Sequence, residues 1–179
     1  MSSGEYRESL RRMSPRVFVD GRQIESVADD PVLAPGANGI GFTYDYALKA
    51  ENRPLALAHQ HTSGKDVSRL VHINQTTDDL MAKLELVRVL CQETGCAMRY
   101  LTHDGFNALF QSTKRTDEDC GTDYHDRFVA YMHYVQDNDL TVGVAMTDAK
   151  GDRSLRPHEQ ANPDTHVHIV ERRKDGLVI

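Results

Sequence analysis

Two of the three cysteines, Cys91 and Cys96, lie five positions apart in the stretch CQETGCAMRY. Two thiols so close in sequence raise the chemistry of metals, above all zinc and iron–sulfur clusters. On one continuous helix each residue turns about 100°, so residues five apart point about 140° away from each other. Such a pair does not converge on one ion unless the helix breaks at Gly95. Tyr100, four past Cys96, shares its helical face, but a phenol is a poor ligand for a soft site. The histidines pose the same question. His59 with His61, and His166 with His168, are i, i+2 pairs that share a face on a strand. A zinc site needs three or four convergent ligands, and the spacing places no third group beside either pair. The pattern predicts surface or structural histidines, a packed Cys96 and no metal.

Composition narrows the remaining possibilities. The 179 residues carry a formal net charge of −6, with a pI near 5.8, so no general attraction to nucleic acid is expected. No apolar run reaches the roughly 18 residues that a bilayer crossing needs. The opening MSSGEYRESLRRM has no apolar core of a leader peptide, and the odd cysteine count lacks a framework spacing. These features predict a reduced, cytoplasmic protein with no membrane contact.

The elements that would position any site are mostly helical. Residues Glu5 to Met13 read as a short helix with Ser2 or Ser3 as cap. Asp20-Gly21 between Val17-Phe18-Val19 and Arg22-Gln23-Ile24 predicts a hairpin. Asp30-Pro31 can open a helix, but Gly36, Gly39 and Gly41 argue for helix only over Phe42 to Ala50, stopped before Pro54. The stretch LALAHQHTSGKDVSRLVHINQ reads as polar, and Thr76 or Thr77 then caps the clearest helix, predicted to run to about Met98. Its Leu80, Leu84, Val87 and Cys91, widened by Met81 and Leu90, form a stripe expected to face the core. Further helices are predicted over His103 to Thr113 and Asp123 to Gln136, the latter with Phe128, Tyr131, Met132 and Val135 on one face.

After Asp139 the character changes. Thr141 to Met146 is β-branched and small, TDAKGDRS reads as a loop, and Thr165 to Arg172 alternates as a strand does. Lys174-Asp175-Gly176 turns into Leu177-Val178-Ile179, the start of another strand. A lone hairpin is marginal in water. The pattern thus predicts a helical part over 1–140, a strand-forming part over 141–179, and a chain that forms the front part of a larger protein.

Five stretches in order carry a resemblance: SGKDVSRLVHINQTTDDL, HDGFNALF, GTDYH, DNDL and AMTDAKGDRS. Together they resemble the N-terminal part of the 4-hydroxyphenylacetate 3-monooxygenase / 4-hydroxybutyryl-CoA dehydratase family, with the wording nearer the dehydratase branch. The resemblance implies a mainly α fold: the helical N-terminal domain of an acyl-CoA-dehydrogenase-like architecture, followed by the first strands of a middle β-barrel. It implies FAD as cofactor, a homo-oligomer (a tetramer), a missing barrel and C-terminal helical domain, and for a monooxygenase a separate flavin reductase. The substrate would be phenolic or an acyl-CoA. The alternative is a non-catalytic helical module, or a truncated product, that docks on a separately encoded remainder.

The resemblance also assigns residues. The flavin loop falls on Met146, Thr147, Asp148, Ala149, Lys150, Gly151, Asp152 and Arg153. Thr147 offers a hydroxyl, Lys150 and Arg153 offer cations for phosphate, and Gly151 lets the backbone approach closely. Asp148 and Asp152 can hold the loop through local backbone bonds. The same residues also make an ordinary solvated turn. The dehydratases hold a [4Fe–4S] cluster partly through a C-x-x-x-C pair, which here falls on Cys96 and Tyr100. Tyrosine in place of the second cysteine implies no such cluster. The substrate-contacting arginine, tyrosine and histidine of the monooxygenases fall on Thr102, Phe106 and Val144, and none matches. No catalytic residue is therefore assigned.

Overall fold

The structure is a computed structural model that describes residues 1–96, 99–144 and 148–179. The chain divides into two compact units, Met1–Gly143 and Val144–Ile179. In the first, helices α1 (Ser3–Arg12), α2 (Ala34–Leu48), α3 (Arg53–Ala56), α4 (Thr77–Thr94), α5 (Tyr100–Cys120) and α6 (Tyr124–Asp137) surround two small antiparallel hairpins. These are β1 (Phe18–Val19) with β2 (Arg22–Gln23), and β3 (Leu57–Gln60) with β4 (Lys65–Ser68).

Local chemistry explains the ends of these elements. Ser2 and Thr76 cap α1 and α4, each with a reciprocal bond from the acidic residue three positions on, Glu5 and Asp79. Asp20 and Gly21 both take positive φ, 50° and 76°, as a two-residue hairpin turn requires. The glycines of α2 correct the sequence expectation, because the helix begins at Ala34 and runs through Gly36, Gly39 and Gly41 to Leu48. A Cβ on Gly41 would stand 3.0 Å from Ser3 Cβ, so this glycine lets α1 lie close against α2. Pro35, in the first turn of α2, lacks only an N–H that needs no helical partner.

The stretch read as polar is the most buried irregular segment of the chain. It forms the β3–β4 hairpin, a short 3-10 turn at Arg69–Val71, and an extended run through His72 and Ile73. Leu70, Val71, His72, Ile73 and Gln60 are all almost fully enclosed. Its backbone groups are met by side chains. Arg69 donates to the carbonyls of Leu55 and Leu57, both at 2.7 Å. Gln60 Oε1 accepts from Ile73 N at 3.0 Å, and Gln136 donates to Val71 O at 2.8 Å.

The core lies on both sides of this segment. Val71, Ile73, Phe106, Phe128, Met132 and Val135 form one cluster; Leu70, Leu86 and Leu90 form another. The α6 stripe packs as expected, except that Tyr131 keeps about half its surface in solvent while its ring meets Phe106 at 6.1 Å. The α4 stripe is only partly buried: Leu90 is enclosed and Val87 packs against the second cluster as expected, but the rest of the stripe faces out. Leu80, Met81, Leu84 and Cys91 are exposed, and Lys83, Leu86 and Leu90 are buried. Periodicity reports which residues share a face, not which face finds a neighbour. The two buried leucines meet Leu70, and Lys83 is drawn inward by Asp104 at 2.8 Å.

In the second unit the predicted alternating strand shrinks to β5 (Glu171–Arg172), paired with β6 (Leu177–Val178). Residues 163–165 form a 3-10 turn instead. The described residues 141–144 form no strand either. Thr141 and Val142 are held by side chains, with Tyr44 Oη 2.8 Å from Thr141 Oγ1 and Thr102 Oγ1 donating to Val142 O at 2.9 Å. Without a neighbouring strand the β-branched run has no ladder to join.

Met132 is fully enclosed at the centre of the first cluster. Met132→Ala is expected to destabilise the fold by about 2–5 kcal/mol. Urea unfolding checks this, and a midpoint unchanged from wild type would contradict it.

Candidate functional site

Residues 148–153 curve around a hollow of about 440 Å³, closed by Leu155, Gln160 and His166. The sequence supplies the curvature locally. Asp152 Oδ1 accepts from Ser154 N at 2.9 Å and from Ser154 Oγ at 2.6 Å, the side-chain-to-backbone turn expected of an aspartate here. Asp148 acts over a longer reach than expected. Its carboxylate accepts from Val167 N at 3.0 Å and lies 3.3 Å from His166 Nδ1. These bonds, from Val167 first and then His166, hold the Asp148 carboxyl below its ordinary range. Both acids are thus turned into the loop, and among the described residues no carboxylate pairs with Lys150 or Arg153. The N–H groups of Ala149, Lys150, Gly151 and Arg153 likewise have no acceptor among the described residues. Two cations and several backbone donors around a hollow make a surface that suits an anion. Met146 and Thr147 lie outside the described residues.

The thiols do not meet as the helical argument assumed. Helix α4 ends at Thr94, and Gly95 takes the left-handed conformation, φ 74°, as its C-cap. Cys96 lies beyond that cap, and Tyr100 opens the next helix, so the two do not share a helical face. Cys96 is exposed rather than packed in the core. Tyr100 lies against the Leu70, Leu86 and Leu90 cluster. The histidine pairs also separate. His59 sits on β3 within 3.3 Å of Asp66, whereas His61 falls in the turn, its ring 5.9 Å from Phe110. His166 and His168 lie where no strand forms, each beside a different aspartate. Among the described residues no group of three or more His, Cys, Asp or Glu converges as a metal site would.

Sequence reasoning missed a buried polar cluster between α5 and the extended run at 72–74. His103 Nε2 lies 3.0 Å from Asn74 Oδ1, and Asn107 donates to the carbonyls of His72 and His103 at 3.0 and 2.9 Å. Asn107 Oδ1 in turn accepts from Asn74 N at 2.9 Å. His103 and Asn107 are four apart on α5, the spacing of one helical face, and that spacing is the signal that could have revealed them. Burial, then the nearby Lys83 ammonium, pushes the His103 imidazole down to about 4.

The family described as 4-hydroxyphenylacetate 3-hydroxylase N terminal matches residues 3–179. The chain belongs to this family. It is 41% identical, over 180 aligned positions, to a 4-hydroxybutyryl-CoA dehydratase/vinylacetyl-CoA-Δ-isomerase of Clostridium aminobutyricum, covering 100% of this chain and 37% of that protein. It is 23% identical to a 4-hydroxyphenylacetate 3-monooxygenase oxygenase component of Geobacillus sp. (strain PA-9), covering 98% of this chain and 35% of the relative. Among solved structures, an oxygen-tolerant archaeal 4-hydroxybutyryl-CoA dehydratase from N. maritimus superposes with a TM-score of 0.88 at 39% identity, over 98% of this chain and 35% of that one. The HpaB oxygenase component complexed with FAD and 4-hydroxyphenylacetate superposes at 0.76 with 21% identity, over 99% and 36%, which shows the fold alone. The chain therefore spans little more than a third of the relatives it matches.

Of Thr102, Phe106 and Val144, the positions that the resemblance sets against monooxygenase substrate residues, the first two are packed. Thr102 is buried and bonded to Val142 O, and Phe106 meets Phe128 edge-on at 5.6 Å. Val144 is exposed.

The buried imidazole predicts a pH dependence. Unfolded, His103 takes a proton near pH 6.5; folded, it resists until about 4. Its contribution is complete above the unfolded value and is lost as pH falls toward the folded one, on the order of 3 kcal/mol in all. Urea midpoints at pH 7 and pH 4.5 should differ less in His103→Asn than in wild type. Equal pH sensitivity in both proteins would contradict this.

Proposed function

We propose that this chain is the N-terminal part of an FAD-dependent oxidoreductase, and that residues 146–153 form one wall of its cofactor site. The observation that supports this reading is the hollow at 148–153, with Lys150 and Arg153 left unpaired by carboxylates among the described residues, in a chain matched by the family from residue 3 to residue 179. FAD carries a diphosphate, and the loop's chemistry fits it. Arg153 and Lys150 would meet phosphate oxygens, Arg153 through a planar fork and Lys150 as a point charge. The unpartnered N–H groups at Ala149 and Gly151 would add backbone donors. Met146 and Thr147 would complete the wall, Thr147 through its hydroxyl. When bound, FAD supplies reversible electron transfer, and the chain's own part is to hold and orient it.

On this reading the first unit is the helical domain of an acyl-CoA-dehydrogenase-like fold, and residues 144–179 begin its middle barrel. The rest of the barrel and a C-terminal helical domain would close the site, and the assembled flavoprotein would be a homo-oligomer. Identity of 41% to a dehydratase, against 23% to an oxygenase component, favours an acyl-CoA substrate over a phenol. If the substrate were phenolic, a flavin reductase would be the partner. Tyr100, in place of a second cysteine, argues against an iron–sulfur cluster, because phenolate is a harder donor than thiolate.

Two measurements test these assignments. Arg153→Ala in the assembled flavoprotein is expected to weaken FAD binding by about 1.5–3 kcal/mol, the loss of a charged hydrogen bond. Fluorescence titration reads it, and unchanged affinity would return the loop to an ordinary solvated turn. Anaerobic purification followed by iron and sulfide analysis is expected to find neither in stoichiometric amount, with Cys96→Ala leaving the cofactor content unchanged. Roughly four of each per chain, as a cuboidal cluster holds, lost in Cys96→Ala, would overturn this and restore cluster chemistry.

A further inference from the structure

Gly151 was expected to be small so that backbone could approach a ligand, but its open side is already filled. A Cβ built on Gly151 would collide with the side-chain amide of Gln160 and stand 3.1 Å from Thr165 Cγ2. Gln160 is the one residue of 151–160 that is not fully exposed. Its amide grips both backbone groups of a single residue, and so pins the peptide units on either side of it. Oε1 accepts from Asp152 N at 2.9 Å, and Nε2 donates to Asp152 O at 2.8 Å. Nε2 also reaches Leu155 O at 3.3 Å. One side chain thus satisfies the backbone at the apex of the loop, in the way a neighbouring strand would, and it does so from eight residues away.

We infer that Gln160 is the positioning residue of the cofactor loop, and that position 151 must be glycine to admit the Gln160 amide rather than to admit the cofactor. The inference rests on the flavin reading of the loop. Its physical content is a lock with two parts. Asp152 N–H is consumed by Gln160 and is not a donor to any ligand. The neighbouring N–H groups, and the backbone that carries Lys150 and Arg153, are held in one arrangement because the peptides on either side of Asp152 cannot rotate. A ligand then meets donors already in place, which lowers the ordering cost of binding.

A double-mutant cycle separates the two roles for glycine. Gly151→Ala, Gln160→Ala and the double variant are compared in two assays. The first is amide exchange at Asp152 by NMR on the chain, with no cofactor present. The second is FAD titration of the assembled flavoprotein. Each single variant is expected to speed Asp152 exchange and to weaken FAD binding about five- to tenfold, the range of a lost hydrogen bond. The double variant is expected to be no worse than Gln160→Ala alone, because the collision and the grip disappear together. Gln160→Glu keeps the acceptor and should restore part of the Asp152 protection. Additive losses of FAD affinity would mean that glycine serves the cofactor directly, and would overturn the inference. So would exchange that changes while FAD affinity does not, or exchange that ignores both substitutions. Wild-type assembled protein that takes up no FAD, with the exchange cycle intact, would instead overturn the flavin reading and with it the loop's role, while the lock itself stands.

Discussion

A chain segment that crosses the interior without a sheet to join must have its backbone polar groups met by side chains. Residues 69–74 are that segment here, and the first unit is arranged around the requirement. Gln60 and Gln136 serve Ile73 N and Val71 O. Arg69 closes the carbonyls at the end of α3, and Asn107 holds His72 O and Asn74 N. Each of these side chains comes from, or reaches to, a different element, so satisfying one peptide fixes the placement of a helix. Both hydrophobic clusters draw members from this segment, Leu70 on one side and Val71 with Ile73 on the other. The polar requirement and the apolar packing therefore depend on the same few residues.

What was legible in the sequence was what local chemistry decides. The hairpin at Asp20-Gly21 and the capped starts of α1 and α4 depend on residues within a few positions of each other. What was not legible depends on distant neighbours. Gly41 looks like a helix breaker until Ser3 is seen to lie against it. Leu80 and Leu84 look like core until Leu86 and Leu90 are seen to take the side that meets Leu70. Gln60 and Arg69 looked like surface because hydrophilic side chains are ordinarily solvated, yet they are buried and meet backbone groups that no strand reaches. The run at 165–172 failed as a strand for the converse reason. Its alternation was real, but only Glu171 and Arg172 meet a partner strand.

The candidate loop shows the same division. Its turn chemistry at Asp152 and Ser154 could be read directly. The long-range parts could not be read. Asp148 is spoken for by Val167 and His166, and Gln160 occupies the space beside Gly151. The cysteine question turned on one backbone angle. With Gly95 left-handed, counting residues around a single helix has no meaning for Cys96 and Tyr100.

The side chains that meet the backbone of residues 71–74 are uncharged, Gln60, Gln136 and Asn107, and they join Asn74 and a neutral His103. Helix α1 is held differently. It contributes no buried residue and is fastened by Arg7 to Ala28 O and by Arg11 to Asp29 at the surface. Dissolved ions screen exposed charges within a Debye length but leave enclosed neutral hydrogen bonds almost untouched. Ionic strength therefore acts on this fold unevenly. Salt weakens the Arg11–Asp29 tie of the N-terminal helix and leaves the neutral hydrogen bonds around residues 71–74 almost untouched, so the fold feels salt first at its edge.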